Sequence, residues 1–246
     1  MRTNFTRLAI AAVAGAVALL NAAAAQALGV PGQGTWETTL QARDIDRDGV
    51  TDAFYDTALN ITWLRNANIN GPANWDSANT WASTLVVGGI GGWRLPTMID
   101  TGTPGCNFSN AGGTDCGYNV QTRNGKTVFS EMAYLWYDEV GNKAHCPPGD
   151  IACAGAPQPG SGLTNTGDFE NLQSDYYWTG LQYALFSNNS WYFATRDGLQ
   201  TYDQKVDGLY ALAVHAGDVA PIPEPETLPL MLAGLATLAA VRRRRH

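Results

Sequence analysis

Alternating apolar and polar residues along the chain predict short strands joined by Gly-rich loops. In the stretch 91–97, Trp93 and Leu95 flank Arg94, so a strand there would bury two large apolar groups and turn the guanidinium to the other face. Pro96 would end this strand, because proline has no N–H to donate to a ladder. The same reasoning predicts further strands at 50–56, 60–64, 176–180, 190–194, 200–202 and 209–214.

Two stretches have the spacing and the caps of helices. Asn74 can cap a helix over 75–87, in which apolar residues recur every three or four positions. Ser130 can cap a second helix over 131–140. Long loops rich in Gly, Pro or Cys follow these two regions, and loops of that length in a compact domain are usually functional or cross-linked.

The N-terminus has the pattern of a secretory signal peptide over residues 1–27. Arg2 and Arg7 precede an apolar run, and Ala25-Gln26-Ala27 has the small residues of a cleavage site. A retained membrane helix is the alternative. Removal is favoured because the core is rich in alanine and ends in small residues.

The C-terminus has three parts in a fixed order. Pro223-Glu224-Pro225 comes first, an apolar stretch over 228–241 follows, and four arginines come next. The apolar stretch is short for a helix that spans a bilayer, but the arginines would keep its end on the cytoplasmic side. An ordinary C-terminal membrane anchor is the alternative interpretation.

The remaining 28–220 are predicted to form one domain, and this domain is more acidic than the whole chain. The formal net charge of the chain is −7, from 15 basic and 22 acidic residues. Six of the basic residues but only two of the acidic ones lie in the two ends, which leaves nine basic and 20 acidic residues and a charge of −11. Such a field disfavours nucleic acids and anionic polysaccharides as partners, and favours divalent cations and neutral or basic partners.

The four cysteines of the chain indicate disulfide bonds. Cys106, Cys116, Cys146 and Cys153 all lie in the loops, and an exported chain folds in an oxidising compartment. Three pairings are open, of which Cys106–Cys116 and Cys146–Cys153 close the shortest loops. A zinc site that uses His145 and Cys146 is a weaker alternative, because the spacing is wrong for known zinc sites.

An acidic run at 44–52 has the pattern of the first half of a calcium loop. The candidate ligands are the carboxylates of Asp44, Asp46, Asp48 and Asp52 and the carbonyl of Val50. The second half departs from an EF-hand, since Tyr55 stands where the bidentate glutamate belongs, and Asp52 or Asp56 would have to replace it. The alternative is an Asp-Gly turn that joins two strands.

The C-terminal pattern, over 221–246, closely resembles a PEP-CTERM sorting signal. The resemblance implies export across the inner membrane and a transient membrane anchor through the helix 228–241. It also implies processing by an exosortase-type enzyme near Pro223, Glu224 and Pro225, and delivery to the cell surface or the extracellular matrix.

The domain resembles the family typified by the C-terminal domain of the Lcl collagen-like adhesin. The resemblance is carried by an ordered set of short matches: 48–52, 62–63, 81–82, 93–97, 130–132, 177–179, 191–193 and 209–214. It implies an α+β fold similar to C-type lectins, compact, with two helices and twisted antiparallel strands. The family's adhesin binds sulfated glycans, but the charge of −11 and the missing collagen repeat argue against carrying that ligand over.

These observations favour a non-enzymatic surface or matrix protein that binds glycan or another matrix polymer, with calcium as a candidate cofactor. Trp178, Tyr183 and Trp191 are the candidate glycan contacts, because sugar faces stack on aromatic rings. A purely structural matrix component is the first alternative. A polysaccharide hydrolase that uses Asp138 with Glu139, or Asp168 with Glu170, is a weaker one, because the sequence contains no nucleophile–base motif.

Overall fold

The computed structural model describes residues 29–102, 113–149 and 156–219. These residues form three helices and ten antiparallel strands in three sheets, so the fold is α+β and mostly sheet. Within this part of the chain, no helix has the length and apolar character needed to cross a bilayer. The predicted signal peptide 1–27 and the predicted membrane helix 228–241 lie outside the described residues.

The strands are short, and several of them are buried at nearly every position rather than at alternate ones. They are β1 (Leu40–Arg43), β2 (Ala53–Asp56), β3 (Ile61–Leu64), β4 (Trp93–Arg94), β5 (Arg123–Asn124), β6 (Thr127–Val128), β7 (Tyr176–Gln182), β8 (Asn189–Ala194), β9 (Gln200–Gln204) and β10 (Val214–Ala216). The largest sheet has the order β1-β2-β3-β10-β4, so the last strand of the chain lies between β3 and β4. A second sheet has the order β7-β8-β9, and β5 and β6 form a separate hairpin.

The two predicted helices begin where their caps predict but end early, and a further short helix precedes them. Helix α1 (Trp36–Thr39) is a single turn, and α2 (Trp75–Thr84) is capped by Asn74, whose Oδ1 accepts from the backbone N of Ser77 at 2.8 Å. Helix α2 stops short of the predicted residue 87 because Leu85 has extended backbone angles.

The second predicted helix, over 131–140, changes its winding. It begins as α3 (Glu131–Tyr134), capped by Ser130, and continues as a π-helix over Leu135–Glu139. A π-helical turn is rare and is often associated with a functional or strained position. Here it places Glu139 in the interior with a fully buried side chain.

The stretch around Trp93 has the predicted geometry. Trp93 and Leu95 are each 2% exposed, whereas the Arg94 guanidinium forms two bonds of 2.8 Å with the carboxylate of Glu131. Glu131 Oε2 also accepts from the backbone N of Thr97 at 2.7 Å. This carboxylate therefore joins the start of α3 to the strand that precedes the long loop.

The predicted strand at 209–214 is wrong in extent. Leu209 and Tyr210 make only isolated bridges, to Ala73 and Tyr177, and the ladder begins at Val214. The apolar residues between them are nevertheless buried, with Leu212 and Ala213 at 0% exposure. The segment crosses the core between two sheets, and burial on all sides produces the same apolar run as a strand.

Candidate functional site

The acidic run forms a tight loop between β1 and β2. One carboxylate oxygen from each of Asp44, Asp46 and Asp48 lies within 4.8 Å of the others. The loop is shaped by carboxylates that accept from backbone amides: Asp44 from Gly49 at 2.9 Å, and Asp46 from Asp48 at 3.1 Å. Gly49 has φ of 91°, a conformation that glycine adopts without strain.

The chemistry of this cluster fits a hard cation. All its donors are carboxylate oxygens, and Asp44 Oδ1 is buried without a hydrogen-bond partner. Asp52 does not join the three, because its Oδ2 accepts from the backbone N atoms of Ile45, at 2.7 Å, and Asp46, at 3.3 Å. Asp56, the other candidate for the second half of a calcium loop, is fully buried and accepts from the indole of Trp63.

An open groove of about 220 Å³ begins at the end of this loop. Its lining comprises Val50, Thr51, Asp52, Leu64, Arg65, Asn66, Ile69, Val87 and Glu170. Val50 and Ile69 are each 52% exposed, so apolar surface is open to solvent beside the polar groups. We call these nine residues the loop groove.

The polar residues of the loop groove are held in place by one another. Arg65 Nη2 lies 2.7 Å from Glu170 Oε1, and Arg65 Nη1 donates to the carbonyl of Thr51 at 3.1 Å. Backbone bonds add to this, since Glu170 N donates to Arg65 O at 3.0 Å and Ala67 N donates to Glu170 O at 2.9 Å. The groove is therefore preformed, with a guanidinium and a carboxylate fixed at its wall.

The three aromatic residues predicted to contact glycan lie in the core. Trp178, Tyr183 and Trp191 are 0%, 1% and 2% exposed. The indole N–H groups are satisfied internally, since Trp178 donates to the carbonyl of Ala73 at 2.9 Å and Trp191 to Asp100 at 2.8 Å. The prediction that these rings stack on a sugar is wrong for this fold, because all three rings are buried and leave no face open to a ligand.

The carboxylate pairs considered for hydrolysis are not assembled as a catalytic site. Glu139 is fully buried, so it cannot reach a polymer in solution. Asp168 lines a different pocket, of about 80 Å³ beside Trp36, whereas Glu170 lines the loop groove and pairs with Arg65. The acidic neighbour that sequence reasoning missed is Asp56, which meets Glu139 only through the tertiary fold.

The cysteines within the described residues carry no free thiol. Cys116 and Cys146 are disulfide-bonded, at 3% and 2% exposure. Cys106 and Cys153 lie outside the described residues, so the pairing remains a prediction. His145, the partner considered for zinc, stacks on Tyr118 with ring centroids 6.1 Å apart.

Comparison with known proteins adds one finding, at the C-terminus. No curated protein and no solved structure matches the chain. The resemblance of residues 28–220 to the Lcl C-terminal domain therefore remains a prediction. Residues 221–245 match the family model of the PEP-CTERM protein-sorting motif. The chain thus carries a C-terminal sorting motif that is recognised by an exosortase, and this motif indicates an exported, extracellular surface protein.

Proposed function

We propose that the domain of this exosortase-sorted protein is a non-enzymatic binding module that takes a neutral glycan, or a similar matrix polymer, in the loop groove. The observation that carries the proposal is the groove itself: exposed Val50 and Ile69 lie beside the fixed Arg65–Glu170 ion pair. The lectin-like resemblance and the delivery of the protein to the cell surface support the same role.

The chemistry of the loop groove suits a sugar ring. A pyranose offers hydroxyl groups that both donate and accept, together with patches of C–H. The carboxylates of Asp52 and Glu170 can accept hydrogen bonds from these hydroxyl groups, and the guanidinium of Arg65 can donate them. The amide of Asn66 can both donate and accept hydrogen bonds. A few fixed polar groups set the orientation of a ligand while apolar side chains supply contact area.

Charge selects among polymers. The domain carries −11, and its loop groove stands next to three clustered carboxylates. Anionic polysaccharides would be repelled from this surface, whereas neutral ones would not. Calcium bound by Asp44, Asp46 and Asp48 would lower this repulsion and hold the loop from which Val50 and Asp52 enter the groove.

The test is binding of neutral polysaccharides to the full-length protein in detergent. Dextran and galactomannan serve as neutral probes and dextran sulfate as the anionic one, each with calcium and with chelator. The groove variant is Ile69→Glu, which puts a charge into the groove from an exposed position. The matched control is Val206→Glu, because Val206 is 78% exposed and does not line the loop groove.

We expect saturable binding of a neutral probe that Ile69→Glu abolishes and Val206→Glu leaves intact. Equal loss in both variants, or preference for dextran sulfate, would contradict the proposed site. Shortening of the polysaccharide chains during the experiment would contradict the non-enzymatic role. Absence of binding to every probe would favour the alternative of a structural matrix component.

A further inference from the structure

The chain is held to the domain as far as its last described residue. Gly217 N donates to the carbonyl of Asn60 at 2.9 Å, and Thr62 Oγ1 donates to the carbonyl of Gly217 at 2.7 Å. Asp218 forms a two-point ion pair with Arg43, at 2.7 and 2.8 Å. Val219 is buried, at 3% exposure, and packs into the main core. Any free tether therefore begins only after Val219.

The tether between this point and the sorting motif is short. Pro223 follows Val219 by four residues, and four extended residues span at most about 14 Å. A domain of this size has a radius of gyration of about 16 Å. The maximum distance between Val219 and the motif is therefore smaller than the radius of the domain. Only the part of the domain surface around Val219 can contact an enzyme that binds the motif.

The surface around this exit can be identified from strand register. Gln41, Tyr55, Thr62 and His215 are direct neighbours across β1, β2, β3 and β10, so their side chains share one face of the sheet. Thr62 and Arg43, which hold the exit segment, reach it from this face. We call Gln41, Arg43, Tyr55, His215 and Asp218 the exit face.

The exit face differs from the rest of the domain in charge. Its two ionic groups, Arg43 and Asp218, neutralise one another, and the Arg43 guanidinium also lies 5.2 Å from the centroid of the Tyr55 ring. The other members offer an amide, a phenol and an imidazole. A membrane surface with anionic headgroups repels a domain of charge −11, and a locally neutral, polar face reduces that repulsion where the two approach.

We infer that the exit face docks against the membrane-embedded exosortase while the sorting motif is processed, with the folded domain seated directly on the enzyme. The inference rests on the sorting function of the motif and adds the surface that the enzyme meets. The domain must lie against the enzyme because residues 217–219 are fixed to the domain and the tether to the motif is short. The neutral, polar side chains of the exit face are compatible with this contact.

Site-specific photo-cross-linking of the full chain, in membranes that contain a tagged exosortase, tests the inference. A benzophenone amino acid replaces Gln41 on the exit face, and in a matched chain it replaces Val206 in the turn after β9. Both side chains are exposed, so each replacement leaves the core unchanged. Removal of the C-terminal tail is followed in the same samples by the change in mass.

We expect the Gln41 probe to cross-link with exosortase several-fold more strongly than the Val206 probe. A Gly/Ser spacer of roughly 20 residues after Ala220, with an end-to-end distance of about 25 Å, should remove that difference. The same spacer placed in the exposed turn at Gly125–Lys126 should preserve it.

Equal cross-linking from the two probes in the parent chain would overturn the inference, as would a preference that survives the spacer after Ala220. Failure of sorting itself has a different signature. If sorting fails, the parent chain keeps its tail and neither probe cross-links to exosortase, and this result overturns docking as well as sorting. If the tail is removed but the two probes cross-link equally, sorting is intact and docking alone is overturned.

Discussion

The carboxyl groups of Glu139 and Asp56 interact in the interior of the domain, and both side chains are at 0% exposure. Glu139 Oε2 also accepts from Thr39 Oγ1 at 2.6 Å, and Asp56 Oδ1 accepts from the backbone N of Leu59 at 2.8 Å. Two carboxylates cannot both be ionised in such a place, so the pair shares a proton. Burial, and next the charge of Asp56, raise the pKa of Glu139 to about 8.

Stability should therefore fall as the pH rises. The pKa of Glu139 in the fold lies above its ordinary value of 4.5, so its contribution is complete below pH 4.5 and is lost as the pH rises through about 8. The loss should be on the order of a few kcal/mol. Glu139→Gln keeps the shape of the protonated acid, and we expect its free energy of unfolding to vary much less between pH 5 and pH 9, as measured by urea denaturation.

Glu37→Gln is the matched control for this experiment, since Glu37 is exposed and lies in α1 near the buried pair. It should retain the pH dependence of the parent protein. A Glu139→Gln variant that loses stability at alkaline pH as steeply as the parent would show that another group is responsible.

The ion pair between Arg94 and Glu131 should contribute measurably to stability. Both bonds are 2.8 Å, and Glu131 is 7% exposed. A double-mutant cycle with Arg94→Met and Glu131→Gln should give a coupling energy of about 1–3 kcal/mol, because each substitution removes the charge pairing between a guanidinium and a buried carboxylate. The pair of Arg196 and Asp197, at 3.1 Å with Arg196 half exposed, is the control and should give at most about 1 kcal/mol.

Ser130 should matter more than an ordinary helix cap. Its Oγ accepts from the backbone N of Ala133 at 3.1 Å and donates to Gln200 Oε1 at 2.6 Å, and both side chains are buried. Ser130→Ala leaves two polar groups without partners, and we expect a loss of about 2–3 kcal/mol in urea denaturation. Ser83→Ala, at an exposed position of α2, should stay within about 0.5 kcal/mol of the parent; a similar loss in both variants would contradict this role.

Calcium should bind to the acidic loop with the modest affinity of extracellular modules, a Kd of about 10⁻⁴–10⁻³ M. Calorimetric titration of the parent protein should give a saturable heat that Asp46→Asn and Asp48→Asn remove. Asp168→Asn, an exposed carboxylate outside the cluster, should leave the heat unchanged. Identical weak heats in parent and loop variants would exclude this site.

The sequence predicts those parts of the fold that depend on neighbouring residues. Asn74 and Ser130 cap their helices, and Arg94 turns away from its two buried neighbours, because caps and alternation are local. The prediction that Trp178 and Trp191 contact glycan is wrong, because the period of a strand shows which face a side chain leaves but not whether that face is covered. β8 is buried at five of its six positions, which alternation alone does not predict.

The loop groove and the buried acids required the tertiary fold. Glu170 reaches Arg65 through a bridge between Asn66 and Glu170, residues far apart in the chain. Glu139 is the last residue of the π-helical turn, and it interacts there with Asp56 of β2, far away in the chain. The acidic loop is different, since the spacing of Asp44, Asp46 and Asp48 alone predicts that their carboxylates converge. Asp52, the fourth predicted carboxylate ligand, stays outside the cluster.

The position of β10 between β3 and β4 has a consequence for how the protein is made. The sheet can close only when the last residues before the sorting motif have left the membrane, so a secreted chain must wait for almost its entire length before its core is complete. A nascent chain that stops before Val214 would lack β10, so the edges of β3 and β4 that pair with it would have no hydrogen-bond partners. Such a chain would be open to proteolysis, because its sheet edges and part of its core would stay exposed.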